Sequence, residues 1–219
     1  MEPHNPRHSS AKENWGTPSW IAAAARVVLG GIDLDPASSA EANKIIQARH
    51  YFTKSENGLA RIWRINQETT GLLSIFLNPP GGKTEDGKSK VKLWWQKMLN
   101  QIDGPYFGHG LFLSFSIEAV QVTQIGCEKS LLDFPTCFFA RRVDYVDPIT
   151  QKPVKGNTHS SCITYVPGWQ DKTARFYNNF SDFGKIVMPC EDYTDKPEPQ
   201  RFGEWAGHGI QTNDIGPLP

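Results

Sequence analysis

The apolar run Leu72-Leu73-Ser74-Ile75-Phe76-Leu77 stops at Asn78-Pro79-Pro80-Gly81, and this junction restricts the fold more than any other stretch of the chain. A short apolar run closed by prolines reads as a buried strand ending in a rigid turn. Each proline fixes its own φ and restricts the residue before it. Asn78 and the first carbonyls of the turn therefore project from the strand end in nearly fixed geometry. Two readings stand side by side. The turn ends a strand and carries no chemistry, or it holds an exocyclic amine. In the second case the amine's two N–H donors meet the Asn78 side-chain oxygen and a proline carbonyl.

The rest of the chain sets limits on that turn's partners. At 219 residues the length suits one domain with a sizeable core. Basic and acidic residues balance at 23 each, so DNA binding must rest on a local patch rather than on overall charge. Cys127, Cys137, Cys162 and Cys190 are widely spaced, with no Cys-x-x-Cys. Free thiols in a reducing compartment are expected, and no metal site. Met1 to Asn14 holds no apolar core of signal-peptide type, and no segment has the apolar length of a membrane span. The expectation is a soluble cytoplasmic protein with no membrane partner.

Along the chain, residues 1–13 read as a polar, disordered arm. Pro18 to Leu29 reads as an Ala-rich helix, with Thr17 as N-cap, Pro18 at the first helical position and Gly30-Gly31 as the stop. Ile32 to Asp35 is a short strand that breaks at Pro36. Ala40 to Arg49 is a helix and Tyr51-Phe52-Thr53 a short strand, while Leu59 to Trp63 is ambiguous. After Leu72–Leu77 come a charged glycine-rich loop, a helix over Val91–Asn100, a strand over Gly110–Phe115 and a helix over Glu118–Gly126. Cys137–Phe139, Arg142–Tyr145 and Cys162–Val166 read as strands, with a turn-rich loop over Asp147–Ser161. Residues 191–219 are rich in Pro, Gly and charge and read as a tail. The alternation of strand and helix predicts an α/β sheet, mostly parallel, closed by a C-terminal antiparallel hairpin. The main domain is expected over residues 14–190.

Three motifs precede the Asn-Pro-Pro turn. Open α/β sheets bind ligands outside the carboxyl ends of their strands. Asp35-Pro36-Ala37-Ser38-Ser39 closes one strand there. It is a plain turn with an Asp cap, or a cradle in which Asp35 meets a ligand's ammonium group. It lacks the glycines of a dinucleotide fingerprint. Trp15-Gly16-Thr17-Pro18 is a helix start with a buried tryptophan, or part of a site. Tyr51-Phe52-Thr53 leads to Asn57-Gly58-Leu59, where Asn57 is a turn residue or reads an adenine edge with its amide.

Taken in order over roughly residues 14–167, these motifs resemble the phage-type DNA N6-adenine methyltransferases, a Dam-like family of phages and prophages. Asn43, Trp63, Phe138 to Tyr145 and Gly156 to Ser161 extend the likeness. The resemblance implies a Rossmann-like fold that uses S-adenosylmethionine to methylate the N6 amine of adenine in double-stranded DNA, inside a bacterial or phage-infected cell. Matched residue by residue, Asn78, Pro79 and Pro80 fall on the catalytic motif. Trp15, Thr17, Pro18, Asp35, Pro36, Ala37, Ser38, Asn57, Gly58 and Leu59 fall on the cofactor segments. The alternatives are a catalytically impaired DNA-binding relative and a methyltransferase acting on another amide or amine.

The chain departs from the family pattern twice. The catalytic motif usually ends in an aromatic residue on which the flipped base stacks, and here Gly81 stands there. Trp94, Trp95 and Phe139 are candidate substitutes. Asn57 replaces an Asp before Gly-Leu, a milder change because an amide still accepts from an amine. Lys83, Lys88, Lys90 and Lys92 in and after the charged loop, with Arg141 and Arg142, are candidate DNA contacts. Against this, the loop reads as a solvated surface, and the arginines as partners of Asp144. His159 reads as structural.

Overall fold

The computed structural model describes residues 15–65, 71–147, 149–154 and 159–189. The chain divides into two compact units, Met1–Pro189 and Cys190–Pro219, and the described residues lie in the first. The expected arm and tail lie outside them.

The elements run α1 (Ser19–Leu29), β1 (Leu34–Asp35), α2 (Ala40–Ile46), β2 (His50–Tyr51), β3 (Leu73–Leu77), α3 (Lys90–Ile102), β4 (Phe107–Ser114) and α4 (Glu118–Gln124). A 3₁₀ turn at Leu131–Asp133 follows, then β5 (Thr136–Phe139), β6 (Cys162–Pro167), α5 (Thr173–Phe180) and β7 (Gly184–Val187). The seven strands form one mixed sheet in the order β2-β1-β3-β4-β6-β5-β7. β1 pairs in parallel with β2 and β3, and β3 with β4. β6 is antiparallel to β4 and β5, and β7 to β5. Five strands, β1 to β5, therefore point one way and two the other. The carboxyl ends of β1, β3, β4 and β5 share an edge with the amino ends of β6 and β7.

The continuous apolar character of β3 follows from burial on both faces. Leu73, Ile75 and Leu77 pack with Trp95 and Met98 of α3 and with Phe112, while Phe76 packs on the opposite cluster with Ile21, Ala25 and Val28 of α1. Leu111 and Leu113 of β4, with Phe176 and Phe180 of α5, join that second cluster. The sheet is thus sandwiched between α1, α2 and α5 on one side and α3 and α4 on the other. Each fully buried Leu or Phe contributes about 1.5–3 kcal/mol, so the two clusters are the main source of stability. Burial also pushes the thiols of Cys137 and Cys162 up to about 12, which leaves them protonated and inert.

Several expected elements shift. The helix expected from Pro18 begins at Ser19, and Pro18 is its N-cap residue with extended ψ of 148°. Thr17 therefore lies one residue before the cap, and its hydroxyl accepts from Asn78. The helix expected to reach Arg49 ends at Ile46, where Gln47 turns left-handed at φ 58°. Asn43 closes that end, with its amide donating to the Ala48 carbonyl and accepting from the Ala48 N–H. The strand expected at Tyr51–Thr53 is His50–Tyr51, and Arg142–Tyr145 is not a strand. Val143 and Tyr145 are buried and Arg142 and Asp144 exposed, so the alternation is real but pairs with no strand among the described residues. The Tyr145 carbonyl accepts from the Val154 N–H, and Val146 just beyond forms isolated bridges to Gly16 and Pro153. Neither α5 nor β7 was expected, and β7 makes the antiparallel part three strands rather than a hairpin.

Candidate active site

The chain leaves β1 for α2 and β2 on one side, then crosses to β3 on the other side of β1. Strand order reverses between β1 and β3, and a crevice forms outside their carboxyl ends at such a reversal. A cavity of about 300 Å³ lies there, bordered by Asp35, Asn57, Asn78 and Trp94 among others. That volume is at the lower end of small-molecule sites, ~300–1,000 Å³.

β1 delivers Asp35 to one wall. The carboxyl group is only 3% exposed, and its Oδ1 accepts from the Ala37 N–H at 3.1 Å. Burial pushes its pKa up to about 7, against the pull of that N–H. No cation within the described residues pairs with it. The buried Ser38 hydroxyl beside it also pulls that pKa down. The turn is rigid because Ser38 N–H donates to the Phe52 carbonyl and Ser39 Oγ caps α2. A buried carboxyl group with no counter-charge among the described residues can take up a cation.

The loop after β2 forms the adjoining wall. Asn57 takes left-handed φ of 54°, which Asn tolerates better than most residues. It therefore serves as a turn residue and also lines the cavity. Gly58 is packed so closely that a Cβ there would lie 2.0 Å from the Pro36 carbonyl oxygen and 3.0 Å from Trp94 Cη2. Its carbonyl accepts from Trp63 Nε1 at 2.8 Å. Gly58→Ala is expected to push this loop off the Asp35 turn. Thermal melts should show a loss of about 1–3 kcal/mol, and calorimetry a weaker ligand site.

β3 delivers Asn78. Its Nδ2 donates to the Trp15 carbonyl at 2.8 Å and to Thr17 Oγ1 at 3.1 Å. Both amide hydrogens are therefore committed, and Oδ1 is the atom left for a ligand. The segment that holds it is pinned by a reciprocal pair between Gly16 and Val146, at 2.8 and 2.9 Å. The Trp15 ring stacks on Phe115, beyond the end of β4, at 5.7 Å and 9°. His159 lies against the same Phe115, with ring centroids 5.1 Å apart.

The sequence-derived set is brought together almost entirely. Asn78, Pro79 and Pro80 line the cavity with Trp15, Thr17 and Asp35; so do Pro36, Ala37, Ser38, Asn57, Gly58 and Leu59. Pro18, the N-cap residue of α1, does not. Lys90 and Thr84 also line it, so the segment after Gly81 borders its mouth. That segment is a small hairpin, with Lys83 bridged to Ser89 and Lys88 paired with Asp86 at 2.7 Å. The Lys92 ammonium lies beside Gly126, past the end of α4. Lys83, Lys88, Arg141 and Arg142 are outside the cavity and exposed, and neither arginine forms an ion pair with Asp144 among the described residues. Of the three rings considered as substitutes for an aromatic at Gly81, Trp94 alone lines the cavity. Trp95 is fully buried with its indole N–H on the Lys129 carbonyl, and Phe139 packs on Trp20 and Phe180.

Thr53, the end of the Tyr-Phe-Thr motif, lines the cavity without having been given a role, and Lys54 lines it without having been singled out. The Tyr-Phe-Thr motif was their signal, since it ends at the sheet edge where the site lies. Comparison with protein-family models, with curated proteins and with solved structures finds no match. Among the described residues no group of His, Cys, Asp and Glu is placed to hold a metal ion, and no helix is long and apolar enough to cross a membrane.

Proposed function

We propose that this protein transfers a methyl group from S-adenosylmethionine to the N6 amine of adenine in DNA. The observation that carries the reading is one cavity holding both a buried Asp35 carboxyl, with no ion-pair partner among the described residues, and an Asn78 amide whose hydrogens are committed elsewhere. The first suits the ammonium of an amino-acid moiety, and the second suits an amine donor. The strand order, with its reversal between β1 and β3, supports a Rossmann-like methyltransferase fold.

The residues present fit the cofactor. Asp35 and Ser38 would hold its amino-acid end, and Asn57 to Leu59 with Trp94 would border its adenine. When bound, S-adenosylmethionine supplies an electrophilic methyl and a thioether leaving group. The chain's own contribution is positioning. Asn78 Oδ1 accepts one N6–H and the Pro79 carbonyl the other, which favours a tetrahedral nitrogen with its lone pair free. Asn78 is too weak a base to take the proton first, so proton loss to water follows transfer. A base within a duplex is out of reach, so it must be flipped.

Incubation with labelled S-adenosylmethionine and mixed-sequence DNA, followed by nucleoside analysis, tests the reading. Label in N6-methyladenine supports it. Gly81 favours a second reading, a methyltransferase-like DNA-binding protein without activity, and cofactor binding with no label in DNA supports that instead. Label in protein rather than DNA points to another amide or amine.

Lys83, Arg141 and Arg142 follow the carboxyl ends of β3 and β5, so they flank the same edge as the cavity. Replacing all three by Ala should lower the slope of log affinity against log salt by about two to three on double-stranded DNA. Lys88→Ala should change it less, because Asp86 already offsets that charge. An unchanged slope in the triple variant makes this surface a solvated one.

A further inference from the structure

We infer that Thr17 is a positioning residue for Asn78, fixing the plane of an amide whose sense the Trp15 carbonyl sets, so that its oxygen meets the substrate amine. The inference rests on the reading of Asn78 given above and assigns Thr17 a different task from cofactor binding.

A primary amide has two ends of similar size and opposite hydrogen-bonding character. Turned by 180°, Asn78 would present two donors to an amine that is itself a donor, and the site would repel its substrate. The Trp15 carbonyl can only accept, so the Asn78 atom 2.8 Å from it must be Nδ2. That contact sets the sense of the amide. The Thr17 hydroxyl takes the second Nδ2 hydrogen at 3.1 Å and fixes the amide plane. Thr17 is itself only 4% exposed, so its hydroxyl competes little with water for this role. Main chain at 15–17 is held by the reciprocal Gly16–Val146 pair and by the start of α1. The acceptors are thus built into rigid surroundings and do not depend on a ligand to organise them.

Thr17→Val keeps the shape and removes the acceptor, and Thr17→Ser keeps the acceptor. Thr17→Val should lower kcat about three- to tenfold at saturating cofactor and leave the cofactor Kd unchanged, while Thr17→Ser should stay within about twofold of wild type. In an Asn78→Ala background Thr17→Val should cause no further loss, because the group it positions is gone. In ¹⁵N spectra the Asn78 side-chain amide hydrogens should exchange faster with water in Thr17→Val. A raised cofactor Kd with intact kcat would make Thr17 a cofactor residue and overturn the proposal, as would unchanged amide exchange. If wild-type protein transfers no methyl to DNA, the functional reading fails. The amide-exchange comparison still decides whether Thr17 locks Asn78.

Discussion

Asn78→Ala is expected to cut methyl transfer to DNA by on the order of 10²–10³-fold, the loss typical of an acceptor or donor that acts mainly in the transition state. Cofactor affinity should be unchanged, because Asp35 and the 57–59 loop lie on the other walls of the cavity. The substitution also deprives the Trp15 carbonyl and Thr17 hydroxyl of their shared donor. That structural cost should appear as a small drop in melting temperature, separable from the kinetic effect. Single-turnover assays at saturating cofactor, with calorimetry for binding, distinguish the two. A variant that methylates DNA at the wild-type rate would remove Asn78 from the chemistry.

Asp35→Asn should have opposite effects on binding and on stability. Burial pushes the carboxyl pKa up to about 7 in the folded chain, against 3.8 for an ordinary aspartate side chain. Between those values the native state holds more protons than the unfolded one. Stability from this group is therefore fully present below about pH 4 and is lost as pH rises through 7. The full loss is up to about 4 kcal/mol. Asn at this position carries no charge to desolvate and can still accept from the Ala37 N–H. It should raise the melting temperature at pH 8 and leave it nearly unchanged at pH 4. Cofactor binding should weaken about 10- to 100-fold at pH 8, since a charge-assisted hydrogen bond is worth roughly 1.5–3 kcal/mol. Wild-type affinity should also rise from pH 6 to pH 8 as Asp35 ionises. Calorimetry at both pH values tests this, and an Asn variant that binds as well as wild type takes Asp35 out of the site.

Different parts of this site left different traces in the sequence. The Leu72–Leu77 run and the two prolines were enough to place a buried strand and a rigid turn, because both signals are local. Asp35, Asn57 and Asn78 were named separately, and chain reversal at the sheet edge brings them to one cavity. The lock on Asn78 was not legible, since one of its acceptors is the Trp15 main-chain carbonyl, which every residue type carries. Arg142–Tyr145 misled because alternating burial imitates a strand even where no neighbour offers a ladder. Helix α5 was missed among weak helix formers, although Phe176 and Phe180 stand four residues apart on its buried side. β7 is four residues long with its outward side chains exposed, a pattern that surface loops share.

The ladders of the sheet are unequal. β4 and β6 are matched over six residue pairs, while β1 meets β2 over two and β3 over one. The Asp35 wall therefore hangs on the shortest ladders of the sheet, extended by main-chain bonds from Arg49, His50 and Phe52 to Ile32, Asp33 and Asp35, next to a carboxyl group whose ionisation opposes folding. Segments of this kind open before the whole molecule does. A ligand that neutralises Asp35 and bridges β1 to the 57–59 loop would close that weak region as it binds. Occupancy and local folding would then be a single equilibrium, and slow amide exchange in β1 and β2 would be a property of the loaded protein rather than of the chain alone.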